Sequence, residues 1–421
     1  MARRTVGSSA SARLAGGAVL RAMIFEPDLS GHHANFVRLL SSALCALPVS
    51  VTIATTPEAA ASTANRRVLL PELGRAVLDP CLDWVPGGRL ALARLSLELG
   101  RAARRLAAEH VYVPYADGIA QLTSLTRLGP RRLFPRDVQS EALLFRAGAV
   151  YPSLRWRSAF ARRMSFRAAL LAPFDRVHHL DPYVFEAMRR EHPRSSRRWS
   201  LVPDPVVPPP AVSKPEARRA LALPNGGRVI ACVGVMDVRK GVDRLLRAFA
   251  QARLGEDDRL LLAGPHDRAV RSVRDELFGR GGGRRVVSLD EFVEEAVLEH
   301  SVQAADLVCA PYPRHMGSAS VVLRAAAAER PVLGSEFGWI GRTISDFDLG
   351  WTSDVERPAE LARALELALT QAPDWRLGPS GRRFVEFHSE VSYQKRWTSL
   401  VRERLGMPPE EELTWDWVRR G

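Results

Sequence analysis

The fold class that the sequence predicts is α/β, in two doubly wound domains of similar size. Short apolar runs of strand length alternate with longer amphipathic patterns along most of the chain, the signature of βαβ units and parallel sheets. The alternation stops once, at LVPDPVVPPPAVSKPE, where Pro203, Pro205, Pro208, Pro209, Pro210 and Pro215 crowd together. Proline cannot donate a ladder hydrogen bond and stiffens the chain, so 203–216 reads as a linker. Length agrees, because at roughly 150 residues per domain the 421 residues hold two or three domains.

AVLRAMIFEP (residues 18–27) reads as the first strand, DLSGHH as the loop after it and ANFVRLLSSALCAL as an amphipathic helix. VSVTIATT, HVYVPYADG, ALLFRAG and DRVHHLDP are further strands, with Ala/Leu/Arg-rich helices around 87–109 and 153–173, giving a first domain over 18–202. After the linker come the strands RVIACVGVM, DRLLLAG, RRVVSL, DLVCAPY and RPVLGS. They alternate with the helices VDRLLRAFAQA, AVRSVRDELFG, EEAVLEHSVQA and SVVLRAAAAE, giving a second domain over 217–375. Residues 376–421 hold the helical run GRRFVEFHSEVSYQKRWTSLVRERLG and a tail, and the first 17 residues are expected to be loose.

A composition of 46% hydrophobic and 25% charged residues excludes a disordered tail and a membrane bundle. The N-terminal apolar stretch is cut by Arg13 and Arg21 before it reaches signal-peptide length, and no segment reaches the ~18 uninterrupted apolar residues of a membrane span. Cys45, Cys81, Cys232 and Cys309 form no C-x-x-C pair and read as buried free thiols of a reducing compartment. The expected location is the cytoplasm. The net charge of +13 comes almost wholly from arginine, since Lys214, Lys240 and Lys395 are the only lysines. It reflects either a GC-rich gene or a surface that receives anions. The arginines are dispersed and no base-stacking module is present, so no nucleic-acid partner is expected. In SLRWRSAFARRMSFRAALLAPF, Arg155, Arg157, Arg162, Arg163 and Arg167 mix with Trp156, Phe160 and Phe166. This helix reads either as core-packed with solvated arginines or as a peripheral contact with the inner face of a membrane.

The chemistry concentrates in two stretches of the second half. Gly234–Gly241, GVMDVRKG, lies between a strand and a helix, where backbone N–H groups and the positive helix end suit a diphosphate. Arg239 and Lys240 add full charges, and a lysine there is informative in so lysine-poor a chain; the alternative is an exposed helix-start residue. In PYPRHMGSASVVLRAAAAERPVL, the small residues Gly317, Ser318, Ala319 and Ser320 open a helix whose free N–H groups can bind phosphate or sugar oxygens, or simply cap it. His315 before them is either a sugar contact or a loop residue. In the first half, Gly31, His32 and His33 lie in the loop after the first strand. His32 is the chosen substrate contact, against a solvated loop histidine. Asp117 is a candidate at the end of VYVPYADG, or a helix cap. His178 and His179 read as satisfied core histidines. Asp346-Phe347-Asp348 is formally a D-x-D metal motif but is set aside, and no H-E-x-x-H, G-x-S-x-G or Walker loop is present.

Taken together, ARRALALPNGGRVIACVGVMDVRKGVDRLLRAFA, AADLVCAPY and VVLRAAAAERPVLGS resemble the donor-binding half of the family 4 retaining glycosyltransferases. EPDLSGHHANFVRLL resembles the first strand, sugar-facing loop and first helix of the acceptor half, and LVPDPVV the segment leaving the first domain. The resemblance covers about residues 18–405. It implies the GT-B fold: two doubly wound Rossmann-like domains facing each other across a cleft, donor mainly in the second and acceptor in the first. The implied reaction is transfer of a sugar from a nucleotide diphosphate to a hydroxyl acceptor, with retention and with neither metal nor cofactor. Gly234, His315, Gly317, Ser318, Ala319 and Arg324 would then bind the donor, and Arg239 and Lys240 would neutralise the leaving diphosphate. Asp117 falls near a histidine that touches the reacting sugar in relatives, and Gly31 and His32 would face the acceptor.

The sequence departs from the family at Val235, where relatives carry Arg, and at Met316 and Arg324, where they carry two Glu. Trp339 and Arg342 likewise replace a Gly and a Glu. Arg324 is expected to point at the Gly317-Ser318 helix start and donate to phosphate, the alternative being a solvated arginine. The rival function is a catalytically degenerate binding partner for carbohydrate or nucleotide sugar. By the same resemblance, a tail helix from near Gly381 packs on the first domain and buries Trp397, Leu400 and Val401.

Overall fold

The computed structural model describes residues 19–63, 65–123, 133–135, 137–145, 171–194, 196–209, 211–224 and 226–420. The chain resolves into two compact units, one built on the chain up to Val202 with Tyr393–Glu412, the other on Pro203–Ser392 with Leu413–Gly421.

The first unit runs β1 (Leu20–Phe25), α1 (His32–Cys45), β2 (Val49–Ala54), α2 (Pro57–Ala60), β3 (Val77–Asp79), α3 (Arg89–Arg105), β4 (His110–Val113), α4 (Asp117–Thr123), β5 (Gln139–Leu144), β6 (Arg176–His179), α5 (Pro182–Glu191) and β7 (Trp199–Leu201). Its sheet is parallel, in the order β3-β2-β1-β4-β5-β6-β7. Both faces are covered. Met23 and Phe25 of β1 enter one core cluster with Val111, Val113 and Leu144, while Ala22 and Ile24 enter the other with Ile53, Tyr112 and Leu143. A strand covered on both faces is mostly apolar, which is why β1, β2 and β4 stand out in the sequence.

The second unit runs α6 (Lys214–Ala220), β8 (Val229–Val233), α7 (Val242–Gln251), β9 (Arg259–Ala263), α8 (Arg268–Phe278), β10 (Val286–Leu289), α9 (Glu295–Ala304), β11 (Leu307–Ala310), α10 (Ser320–Ala327), β12 (Val332–Ser335), α11 (Gly338–Asp346), β13 (Gly350–Ser353), α12 (Pro358–Gln371) and α13 (Pro379–Phe387). Its sheet is also parallel, in the order β10-β9-β8-β11-β12-β13. The core joins Ile230 and Cys232 of β8 to Leu245, Leu246 and Phe249 of α7 and to Leu260 and Leu262 of β9.

Three strands escape the sequence reading: β3, β7 and β13. All are three or four residues long and all are sheet edges, so none carries a continuous apolar run. The proline-rich stretch is no free tether, because Asp204 and Val206 are buried and the Val206 N–H donates to the His388 carbonyl at 2.8 Å. α6 then starts behind a capping box made by Ser213 and Glu216. The tail is two helices rather than one. α13 stays with the second unit, and α14 (Glu390–Arg404) carries Tyr393, Trp397 and Val401 into the core around Ile24, Val37 and Leu40 of the first. The spacing of four puts these three side chains on one helix face, and Leu400, off that face, is partly exposed. α15 (Trp415–Arg419) belongs to the second unit again.

Among the described residues no helix is long and apolar enough to cross a membrane. The Arg-rich helix expected over 153–173 and the first 17 residues lie outside the described residues, apart from 171–173 at the end of that helix. Cys232 and Cys309 are buried free thiols, whereas Cys45 and Cys81 are half-buried and so depart from the expectation.

Candidate functional site

In a doubly wound sheet the strand order reverses at one place, and the loops leaving the carboxyl ends of the two strands there diverge to leave a crevice. In the second unit the reversal falls between β8 and β11, in the first between β1 and β4. The loops after these four strands hold Gly234–Gly241, Pro311–Ala319, Glu26–Gly31 and Pro114–Ala116. Every sequence-derived candidate except Arg324 lies in one of these loops or in the first residues of the helix that follows.

The loop after β8 is held tightly. Met236 N–H donates to the Pro265 carbonyl at 2.8 Å, and Asp267 N–H to the Met236 carbonyl at 2.9 Å. Asp237 caps the short turn Val238–Lys240 by accepting the Lys240 N–H at 2.8 Å. Gly241 has φ +73°, and a Cβ there would lie 2.1 Å from the Pro311 carbonyl oxygen, so only glycine lets the two switch-point loops touch. At Gly234, with φ +96°, a Cβ would lie 3.0 Å from the Lys240 Nζ. Lys240 is therefore not an exposed loop charge. It folds back over Gly234, half-buried, with its ammonium 5.4 Å from the centre of the Tyr312 ring. Burial holds its pKa below the usual lysine value, with Arg239 adding to the effect. Arg239 is well exposed and pairs with Asp237 at 3.1 Å, a surface pair of little strength that an anion can replace.

The loop after β11 carries His315, whose Nε2 lies 3.2 Å from the Ser318 carbonyl and whose ring meets Tyr312 edge-on at 5.5 Å. Gly317 and Ala319 are buried, and Ala319 precedes α10 without any side-chain cap. Asp204, a residue the sequence reading passed over as linker, is buried, and burial pushes its carboxyl up to about 6, opposed by Ser318 and Arg324. Arg324 corrects its expectation. It neither reaches for the helix start nor stands in solvent, because its guanidinium pairs with Glu295 and lies 4.0 Å from Glu299, both on α9. Trp339 is fully buried beside Phe384, a core residue rather than a site residue.

In the first unit, Gly31 caps α1 with φ 54°. The His32 side chain lies outside the described residues, and the histidine that the structure places in a polar cluster is His33. Its Nδ1 is 3.2 Å from Glu26 Oε1 and its ring 4.4 Å from that of Tyr115. Burial alone would lower the pKa of His33, but the bond and charge of Glu26, with Asp28 and Asp117 behind, outweigh it and the net shift is upward. Burial pushes Glu26 up as well, only partly opposed by His33. Asp117 opens α4 and its Oδ2 accepts the Phe145 N–H at 3.2 Å, so it caps a strand end while adding negative charge near His33. Glu26 and Tyr115 were missed. A glutamate directly after an apolar strand and before Pro27 is the one sequence signal that could have found the former.

Several known proteins are similar to this chain. Residues 227–371 match the family described as glycosyl transferases group 1. A D-inositol 3-phosphate glycosyltransferase of Corynebacterium diphtheriae is 31% identical over 165 residues, 38% of this chain and 38% of that protein. Its counterpart in Jonesia denitrificans is 30% identical over 200 residues, 45% of each chain. The match thus spans less than half the length of these relatives. Among solved structures, sucrose-phosphate synthase from Thermosynechococcus elongatus has a TM-score of 0.69 at 20% identity, covering 92% of this chain and 99% of that one. Anabaena HepE, solved with UDP and glucose, has a TM-score of 0.66 at 13% identity, covering 91% and 100%.

Proposed function

We propose that the chain, whose residues 227–371 match the group 1 glycosyltransferases and whose fold is GT-B, transfers a sugar from a nucleotide-diphosphate donor to a hydroxyl acceptor, with retention and without a metal ion. The observation that carries this reading is the second unit's switch point. There the half-buried ammonium of Lys240 and the uncapped start of α10 come from neighbouring strands at the carboxyl edge of one sheet. A poorly hydrated cation and free N–H groups suit the charge that grows on a departing diphosphate, and they are in place before the reaction begins. HepE, of the same fold, binds UDP and glucose. The inositol phosphate relatives act on a polyol, and Glu26, Asp28 and Asp117 supply acceptors for polyol hydroxyls in the first unit.

A second reading, a nucleotide-sugar binding partner without turnover, is favoured by one observation. Met316 offers no carboxylate, and Arg324 is taken up by α9. Incubating the full chain with UDP-, GDP-, ADP- and TDP-sugars and a panel of polyols separates the two. The transferase reading expects nucleoside diphosphate and a glycoside in equal amounts from at least one pair. Binding without release across the panel would favour the partner, and no binding of any nucleotide would reject both.

A further inference from the structure

The second unit holds a cavity of about 460 Å³ at the amino edge of its sheet. Arg228, Asp306 and Pro331, which line it, immediately precede β8, β11 and β12, whereas the loops assigned to the donor follow the carboxyl ends of β8 and β11. At ~3.3 Å per residue, the length of a strand such as β8 sets the two edges about 15 Å apart. The volume falls in the range of small-molecule pockets.

The charged residues of the wall are Lys214, Arg228, Arg330 and Arg376 against Asp306 and Glu329. The two carboxylates do not balance this set. Asp306 already takes the Lys214 ammonium at 2.7 Å, the Arg218 guanidinium at 2.6 Å and the Val229 N–H at 2.7 Å, and Glu329 is exposed to water. Arg228 is engaged by Asp258. The excess lies with the other two guanidiniums. Arg330 is half-buried and donates to uncharged oxygens, the carbonyl of Gln303 at 3.2 Å and its side-chain amide at 3.0 Å. Burial holds its pKa below the usual arginine value, with the Arg218 charge adding to the effect against Asp306 and Glu329. Arg376 donates to the carbonyls of Pro373 and Trp375, both at 2.7 Å. Among the described residues neither Arg330 nor Arg376 forms an ion pair. The apolar part of the wall includes Leu369, Trp375 and Leu377.

We propose that this cavity is a second ligand site, that it takes a small phosphate monoester on a compact carbon skeleton, such as a sugar phosphate, and that Lys214, Arg330 and Arg376 hold the phosphate. A phosphate monoester carries close to two negative charges at neutral pH, which matches the excess of cations in the wall. Its oxygens accept and the guanidinium forks donate, so each arginine can give it charge-assisted bonds while backbone and amide oxygens keep the side chain in place. The carbon skeleton accounts for the indole and leucines. A carboxylate answers only half of the charge. The proposal goes beyond the transfer reaction and does not depend on it.

Calorimetric titration of the full chain at low salt with glucose 6-phosphate, inorganic phosphate and glucose tests this. Glucose 6-phosphate should bind once per chain, inorganic phosphate more weakly, and glucose not measurably. Arg376→Gln and Lys214→Gln should each weaken glucose 6-phosphate binding about ten-fold, the order of one charge-assisted hydrogen bond. Neither change should shift melting of the unliganded chain, because Arg376 bonds only to its own loop and Asp306 keeps Arg218 and the Val229 N–H. Lys240→Ala should bind glucose 6-phosphate as the parent does, since that ammonium stands at the other edge of the sheet. Absence of binding, an affinity indifferent to both glutamine variants, or binding lost in Lys240→Ala overturns the proposal, and equal affinity for inorganic phosphate overturns the assignment to an ester. Failure of every nucleotide sugar to bind would sink the donor-site reading and leave these expectations unchanged.

Discussion

Replacing Lys240 by alanine is expected to lower kcat/KM for the nucleotide sugar by about 10²–10³-fold, the usual loss when one well-aimed group is taken from the developing charge of a transition state. The geometry makes the effect local. Lys240 Nζ sits above Gly234, within 5.4 Å of the Tyr312 ring centre, and no ion pair of its side chain appears among those of the described residues. The folded state therefore loses only a cation–π contact of about 0.5–1 kcal/mol, so melting of the variant should stay close to the parent. Lys240→Arg should restore little. A planar guanidinium is bulkier than the ammonium, and the space above Gly234 already brings Nζ to 3.0 Å from where a Cβ would stand. Steady-state kinetics with a saturating acceptor measures the loss, and equal turnover in parent and variant would remove Lys240 from the diphosphate site.

The second large effect concerns stability and lies away from the donor loops. Glu141 on β5 is fully buried between two histidines, with Oε1 2.8 Å from His110 Nε2 on β4 and Oε2 2.8 Å from His178 Nε2 on β6. His178 is anchored in turn by Ser200 on its other nitrogen, at 2.6 Å. One carboxylate thus pins three adjacent strands of the first unit. Burial opposes its charge, but the bonds and charges of the two imidazoles prevail and bring it down from 4.5 to about 2. A carboxyl with a depressed folded-state pKa contributes stability that is complete above its unfolded value and is lost as pH falls through the folded one. The contribution of Glu141 is accordingly full above about 4.5 and fades toward about 2. Glu141→Ala leaves two buried imidazoles without their shared partner and should cost about 3–5 kcal/mol. Urea unfolding followed in the first unit would show it as a lowered midpoint at neutral pH, with a smaller difference from the parent near pH 3. An unchanged midpoint would mean that the three residues do not form this arrangement.

The parts of the fold legible in the sequence are those whose burial is repeated along a run. β1, β8, β9, β11 and β12 are apolar at almost every position because helices cover both faces, and each was readable. β3, β7 and β13 close the sheets at their edges, and their three or four residues are too few to show a period. The tail reads as one helix because its pattern is continuous in hydropathy. The break falls at His388-Ser389, where Ser389 Oγ accepts the Ser392 N–H at 3.2 Å as a cap of α14 and His388 pairs with Asp204, 184 positions apart.

The site divides in the same way. Lys240 and Gly234 were legible because a rare lysine follows a glycine in a strand-to-helix loop. Glu26, Tyr115 and Asp204 were not, since each is a single polar residue whose role is set by what folds against it. Arg324 shows the limit from the other side. Its position on the helix follows from spacing, but its direction is decided by Glu295 and Glu299 on a neighbouring helix.

In the proposed reading the second unit grips a diphosphate with the loop after β8 and the turn before α10. Amide hydrogen exchange of the full chain, with and without saturating UDP, GDP, ADP or TDP sugars, reads this directly, because amides bound to phosphate oxygens lose their exposure to water. At least one nucleotide is expected to slow exchange in Gly234–Gly241 and in Gly317–Val321 together, and Lys240→Ala to abolish both protections. Protection confined to other segments, or unchanged exchange with every nucleotide, would contradict it.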